Sequence, residues 1–268
     1  MSWTELTYAR DYITGEIFSH AGLLRRISLY EGKRAGNKIY IPYFGTSTVT
    51  AVNVDSVLAS DRDNTIITLT AADYATRTAL KGSELQTYEN DRSMQLGLFE
   101  QHANGLRIQM ESGLDTTLAT STNTQALTTD NTYTMALFMA GLADILGAGA
   151  TMEECTMITG AAGWASLMAA GFANAGGSVG SIPGAAGLLF GTIPVVVSAQ
   201  CTVATTTGGA AGYLFARKGI VGAVADVETV GPVFNSGTTS YDIVSMMYYA
   251  YDIVGGTGSD LVVKFTNP

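Results

Sequence analysis

The sequence predicts an α+β chain built around one long helix. Three observations lead there. Apolar residues recur at helical spacing through Leu85, Tyr88, Leu96, Phe99, Ala103, Leu106, Met110, Leu114 and Leu118, a period near 3.6 and far from 2. β-Branched and aromatic runs of strand length lie on both sides of that stretch. Charge is shared unequally: residues 1–115 hold 11 of the 14 basic and 14 of the 23 acidic residues, while the 62 residues from Cys155 to Ala216 hold none. Charged residues make up 14% of the 268-residue chain, against about 25% in an ordinary globular domain. An uncharged half in a chain that is 47% hydrophobic implies faces covered by other copies.

In chain order, residues 1–37 carry charges of both signs and a short apolar periodicity through Ile13, Ile17, Phe18 and Leu23. They read as an arm without a long apolar face, one that needs another surface to lie on. Ile39-Tyr40-Ile41, Thr48–Val52 and Thr65–Leu69 alternate as strands, with a polar turn at Asp61–Asn64. This long hairpin has few large apolar residues, and a two-stranded hairpin is marginal alone. The long helix is expected over Ser83–Ala119, with Ser83 and Gln86 as a capping box. Its length would be about 55 Å at 1.5 Å per residue. Gly97, Gly105 and Gly113 weaken it, and a break near Gly97 or Gly105 into two helices is the alternative.

Thr120–Asn131 is polar and reads as a boundary. A second helix is expected from Asn131-Thr132 to Gly147, then a strand at Thr156–Thr159 and a helix at Trp164–Ala170. Residues 171–191, with seven glycines, read as a loop. Strands follow at Ile193–Ser198, Gly212–Ala216 and Ile220–Val224, with β structure at Tyr241–Val254 and Leu261–Phe265.

The residues do not assemble a catalytic constellation. Gly176-Gly177-Ser178-Val179-Gly180 fits the G-x-S-x-G pattern, but its flanks are Gly and Ala, and both histidines, His20 and His102, precede the serine. A nucleophile elbow needs a strand before it, a helix after it and a histidine beyond it. His20, His102, Cys155 and Cys201 lack metal-ligand spacing, and the two cysteines read as reduced core thiols. Gly256-Thr257-Gly258 is a turn, and no phosphate-binding loop is present. Glu153-Glu154 sits at a strand entry. No catalytic, cofactor or metal site is expected, and the chain reads as a non-enzyme. The net charge of −9 argues against wrapping nucleic acid. No signal peptide is read at MSWTELTYAR, and Ile182–Ala199, interrupted by Pro183, Pro194 and three glycines, is a poor membrane span.

The order of these parts (arm, hairpin, spine helix, neutral α/β section, returning β segment) resembles the major capsid protein of tailed bacteriophages, the Hong Kong 97 phage fold that encapsulins share. The resemblance rests on Ile39–Leu69 followed by Ser83–Ala119, and on the late pattern Gly187–Ser198, Ala211–Val221 with its Ala216-Arg217-Lys218-Gly219 turn, Tyr241–Val244 and Tyr251–Val254. It implies an N-terminal arm over 1–37, an extended loop over 38–75, a peripheral domain with the spine helix over 76–130, an axial domain over 131–222, and strands returning to the peripheral domain over 223–268. It implies copies closing into pentamers and hexamers as an icosahedral virion head around double-stranded DNA, assembled in the host cytoplasm, with scaffolding, portal and decoration proteins as further partners and no membrane. Arg25, Arg26, Lys38, Tyr40, Arg62, Glu89, Arg92, Arg107, Glu111, Arg217 and Lys218 are the candidate assembly contacts. Tyr40–Ala79 contains no lysine, so the isopeptide cross-link of some relatives is not expected. No charged helical segment of scaffolding length precedes the arm, so a fused scaffold is expected to be absent or cleaved. An encapsulin-like nanocompartment shell and an oligomeric phage tail component are the alternatives.

Overall fold

The computed structural model describes residues 3–20, 24–31, 38–44, 64–129, 131–171, 173–174, 186–198, 210–224 and 227–268. The N-terminal part runs α1 (Trp3–His20), β1 (Ser28–Glu31), β2 (Lys38–Phe44), β3 (Asn64–Thr70), β4 (Ala72–Leu80), α2 (Gly82–Asn90), α3 (Arg92–Ala119) and β5 (Thr124–Ala126). Then come α4 (Met135–Gly147), β6 (Cys155–Thr159), α5 (Ala161–Ala169), β7 (Ala173–Asn174), β8 (Gly187–Leu189) and β9 (Ile193–Val197). The chain continues through β10 (Ala210–Ala216), β11 (Ile220–Val224), β12 (Glu228–Asn235), β13 (Ser240–Ile253) and β14 (Val262–Thr266).

The expected single helix is two, and the break is at Asp91, not at Gly97 or Gly105. Asp91 has extended backbone (φ −117°, ψ 106°), and its carboxylate accepts from the Ser93 N–H at 2.9 Å and the Ser93 hydroxyl at 2.6 Å. An aspartate that satisfies the free N–H groups of a helix start is a strong N-cap. The cap of α2 also differs from expectation: the Lys81 N–H donates to Glu84 Oε2 at 2.7 Å, so Ser83 and Gln86 are not the box. α3 keeps 28 residues, about 42 Å. Its buried face is Leu98, Phe99, His102, Ala103, Leu106, Met110, Leu114 and Leu118. Gly113 is required there, since a Cβ would stand 2.6 Å from the Tyr249 ring.

The segment read as an arm in need of a surface forms α1, which lies against α3. Ala9, Ile13 and Ile17 are spaced by four and fully buried in one core with α3. Three residues on one face are a narrow stripe, yet wide enough to lie along a long helix. The hairpin also finds cover within the chain. β2 pairs antiparallel with β3 from Lys38↔Thr70 to Phe44↔Asn64, and Ile39, Ile41, Leu69 and Ala71 pack on Val221, Ala223, Ala250 and Val254. Thr48–Val52 and Asp61–Asp63 lie outside the described residues.

The strands form two larger sheets. In the five-stranded sheet, β4 pairs with Tyr241–Tyr249 of β13, while β12 pairs with Ser240–Met246 and β11 with Tyr249–Ile253. β12 and β11 therefore divide one edge of β13 and β4 takes the other; β1 runs parallel to β11. The seven-stranded sheet has the order β5-β14-β10-β6-β9-β8-β7. β11 spans the expected boundary at residue 222 and joins the five-stranded sheet. Leu261–Phe265 returns to the expected 76–130 section by pairing with β5, and it also pairs with β10, as β14 between them. Both faces of β14 are buried. Val262 packs in the core of α3, while Val263 and Phe265 pack with α4 residues Phe138, Leu142 and Ile145. The helix expected from Asn131-Thr132 starts at Met135, where Thr134 Oγ1 accepts from the Leu137 N–H at 3.4 Å.

Candidate assembly surface

The two sheets meet where β10 crosses to β11 through the turn Arg217–Gly219. Parallel pairing of Ser28 with Val221 lays a second basic turn, Leu24–Arg26, beside it. The Ser28 hydroxyl donates to the Arg217 carbonyl at 3.3 Å. Four of the eleven predicted contact residues, Arg25, Arg26, Arg217 and Lys218, are thereby brought to one seam. Burial lowers the pKa of Arg26, and the nearby Arg217 and Arg25 lower it further. Its Nε is buried without a hydrogen-bond partner. Arg25 Nε donates to the Phe18 carbonyl at 3.0 Å, and Lys218 Nζ to the Gly149 carbonyl at 2.6 Å.

Other predicted residues are engaged inside the chain. The Arg92 guanidinium lies 5.4 Å from the centre of the Tyr8 ring. Arg107 pairs with Glu111 at 3.4 Å and donates to Asn104 at 2.9 Å. Burial raises the Glu111 pKa, opposed by the Arg107 charge. A cavity of about 250 Å³ lies beside them, lined by Glu16, Glu100, Ala103, Asn104 and Arg107. Lys38 and Glu89 are exposed, at the root of the hairpin and on α2. Tyr40 pairs with Thr68 in the hairpin ladder. Arg62, the Gly176–Gly180 stretch and Cys201 lie outside the described residues. Cys155 is a buried free thiol whose pKa burial pushes up to about 11. His102 is buried between the Thr78 hydroxyl (2.8 Å) and the Ser245 hydroxyl (2.9 Å).

Apolar surfaces were missed by sequence reasoning. α4 exposes Met135, Met139 and Leu146, with Ala136, Ala140 and Ala143 between them. Beside it, Phe190 stands in a tight β8–β9 turn closed by the Thr192 N–H to the Leu189 carbonyl at 3.0 Å. Phe190 has φ 51° and Gly191 φ 73°. Left-handed backbone is unfavourable for a bulky residue, yet here it holds a ring 39% exposed, 5.8 Å from Phe138. On the other sheet, β12 exposes Val230, Val233 (54%) and Phe234 (55%). A signal existed: the exposed α4 positions recur every three or four residues in a segment whose one charge is Asp144.

No protein-family model matches the sequence, and no curated protein does. Solved structures do. The capsid of the cyanophage P-SCSP1u aligns over 91% of this chain and 86% of its own, with a TM-score of 0.58 and 11% identity. The chain has the phage-capsid fold. The mature capsid of bacteriophage PhiM1 gives 90% and 85% coverage, a TM-score of 0.57 and 13% identity. A virus-like particle from Pyrococcus furiosus gives 97% and 99%, a TM-score of 0.59 and 10% identity. The phage-capsid fold, of Hong Kong 97 type, thus spans nearly the whole chain, and at these identities the likeness is one of fold.

Proposed function

We propose that this chain is a major capsid protein whose copies close into pentamers and hexamers and form an icosahedral shell around double-stranded DNA. The observation that carries this reading is the likeness in fold to phage capsid structures over about nine-tenths of the chain. The open apolar surfaces on α4, Phe190 and β12 support it, because rings of copies would cover them. In this reading α3 and the five-stranded sheet form the peripheral part. The seven-stranded sheet with α4 and α5 faces the ring axes. Its scarcity of charge, Asp144 and Lys264 alone in these elements, spares five or six identical copies most of the repulsion of like charges brought together. The net charge of −9 keeps the wall from gripping packaged DNA. Scaffolding, portal and decoration proteins are further partners of such a shell, and the head would be assembled in the host cytoplasm.

The likeness to the Pyrococcus furiosus virus-like particle, over 97% of this chain and 99% of that one, favours a second reading: a cellular compartment shell of the same fold. Negative-stain electron microscopy of the expressed protein tests both. Closed shells are expected; dispersed single particles or fibres would overturn the shell. Nucleic acid inside favours the virion, and protein cargo favours the compartment.

A further inference from the structure

We propose that the cationic seam of Arg25, Arg26, Arg217 and Lys218 is the seat for a carboxylate-bearing surface of a second copy of this chain, in a head-to-tail contact. The inference rests on the shell reading for its context and on the seam for its chemistry. Two turns far apart in sequence are held side by side by the parallel β1–β11 ladder and by the Ser28–Arg217 hydrogen bond. None of the ion pairs among the described residues includes any of the four cations. Burial lowers the Arg26 pKa first, and the like charges of Arg217 and Arg25 lower it further, so an added anion would relieve both effects. Arg26 Nε, buried and without a partner, leaves a guanidinium short of one acceptor. A side-chain carboxylate entering between the turns meets that donor and spreads its charge over the neighbouring arginines.

Charge complementarity selects the occupant. Outside the seam the chain has ten basic residues against 23 acidic ones, so a second copy presents a mainly anionic surface. A nucleic acid would need cations spread along its phosphates; here they are confined to two adjacent turns on a chain of net charge −9. A two-fold axis through the seam itself is excluded, because it would set cations on cations; the head-to-tail contact of the proposal is of the heterologous kind that closes rings.

Arg25 and Arg217 are exposed, so Arg25→Glu/Arg217→Glu cancels the net positive charge of the seat while sparing the Lys218–Gly149 contact. Sedimentation velocity of the full chain should show wild-type association weakening about tenfold between low and high salt. The double variant should lose self-association by at least about tenfold. Its carboxylate surface remains, so it should bind wild-type seats and block their growth when mixed below equal amounts. Circular dichroism checks the fold, and Arg25→Gln/Arg217→Gln should give an intermediate loss if the Glu pair unfolds the chain. Wild-type-like association of a folded variant would overturn the proposal, as would normal shells that lose only their nucleic acid. Shells indifferent to the variants sink the seam alone; seam-dependent complexes that never close into shells sink the capsid reading alone.

Discussion

The two sheets are held together by different means. The seven-stranded sheet is buried on both faces by apolar side chains: Leu214, Val263 and Phe265 against α4, Tyr213, Phe215 and Val262 in the core of α3. The five-stranded sheet meets α3 through polar joints as well. His102 bridges Thr78 and Ser245, and Tyr249 donates to the Gln109 carbonyl at 2.7 Å. Within the sheet, Asp242 of β13 pairs with Arg77 of β4 at 3.0 Å and accepts from Asn235 of β12 at 2.8 Å. One half is specified mainly by packed volume, and its buried thiol, Cys155, stays protonated well above neutral pH. The other is specified by partners, and its stability follows their protonation.

The contrast is tested most strongly at Phe265, which is fully buried, meets Tyr133 edge-on at 5.3 Å and stacks with Phe138 at 6.1 Å. Phe265→Ala should lower unfolding stability by about 3–5 kcal/mol at every pH between 5 and 8; a loss that varied with pH would break the comparison. Gly113→Ala should cost about 1–3 kcal/mol, because the added Cβ meets the Tyr249 ring, and Tyr249→Leu in the same chain should recover part of it. An unchanged midpoint in urea would place α3 farther from β13 than described. The smallest effect is at His102. Burial lowers its pKa below the ordinary 6.5, so the unfolded chain takes up the proton first. Stability is then full above about pH 6.5 and declines as pH falls toward the folded value. His102→Gln, which can still bond both hydroxyls, should flatten that decline; a slope identical to wild type would locate the titration elsewhere.

The same contrast explains what the sequence disclosed. The continuous apolar runs of the seven-stranded sheet at Thr156–Thr159, Ile193–Ser198 and Gly212–Ala216 read as strands because burial on both faces leaves no polar alternation to confuse them. β4 was missed because its half-buried positions are Tyr74, Thr76 and Thr78, which alternate with Asp73, Ala75, Arg77 and Ala79 without an apolar signature. β12 was missed because Gly231-Pro232 interrupts it. Asp91 escaped notice inside a helical period, since one capping carboxylate outweighs the pattern only when its neighbour Ser93 is placed to donate twice. The cationic seam was visible only as separate residues. Nothing in Arg25-Arg26 or Arg217-Lys218 announces that a parallel ladder sets them side by side.

The placement of β14 has a consequence for biosynthesis. It is inserted between β5 and β10, so the sheet has an open slot until the ribosome has polymerised Val262–Thr266. The seven-stranded half is therefore completed last, by a strand made after both of the neighbours, β5 and β10, that it joins.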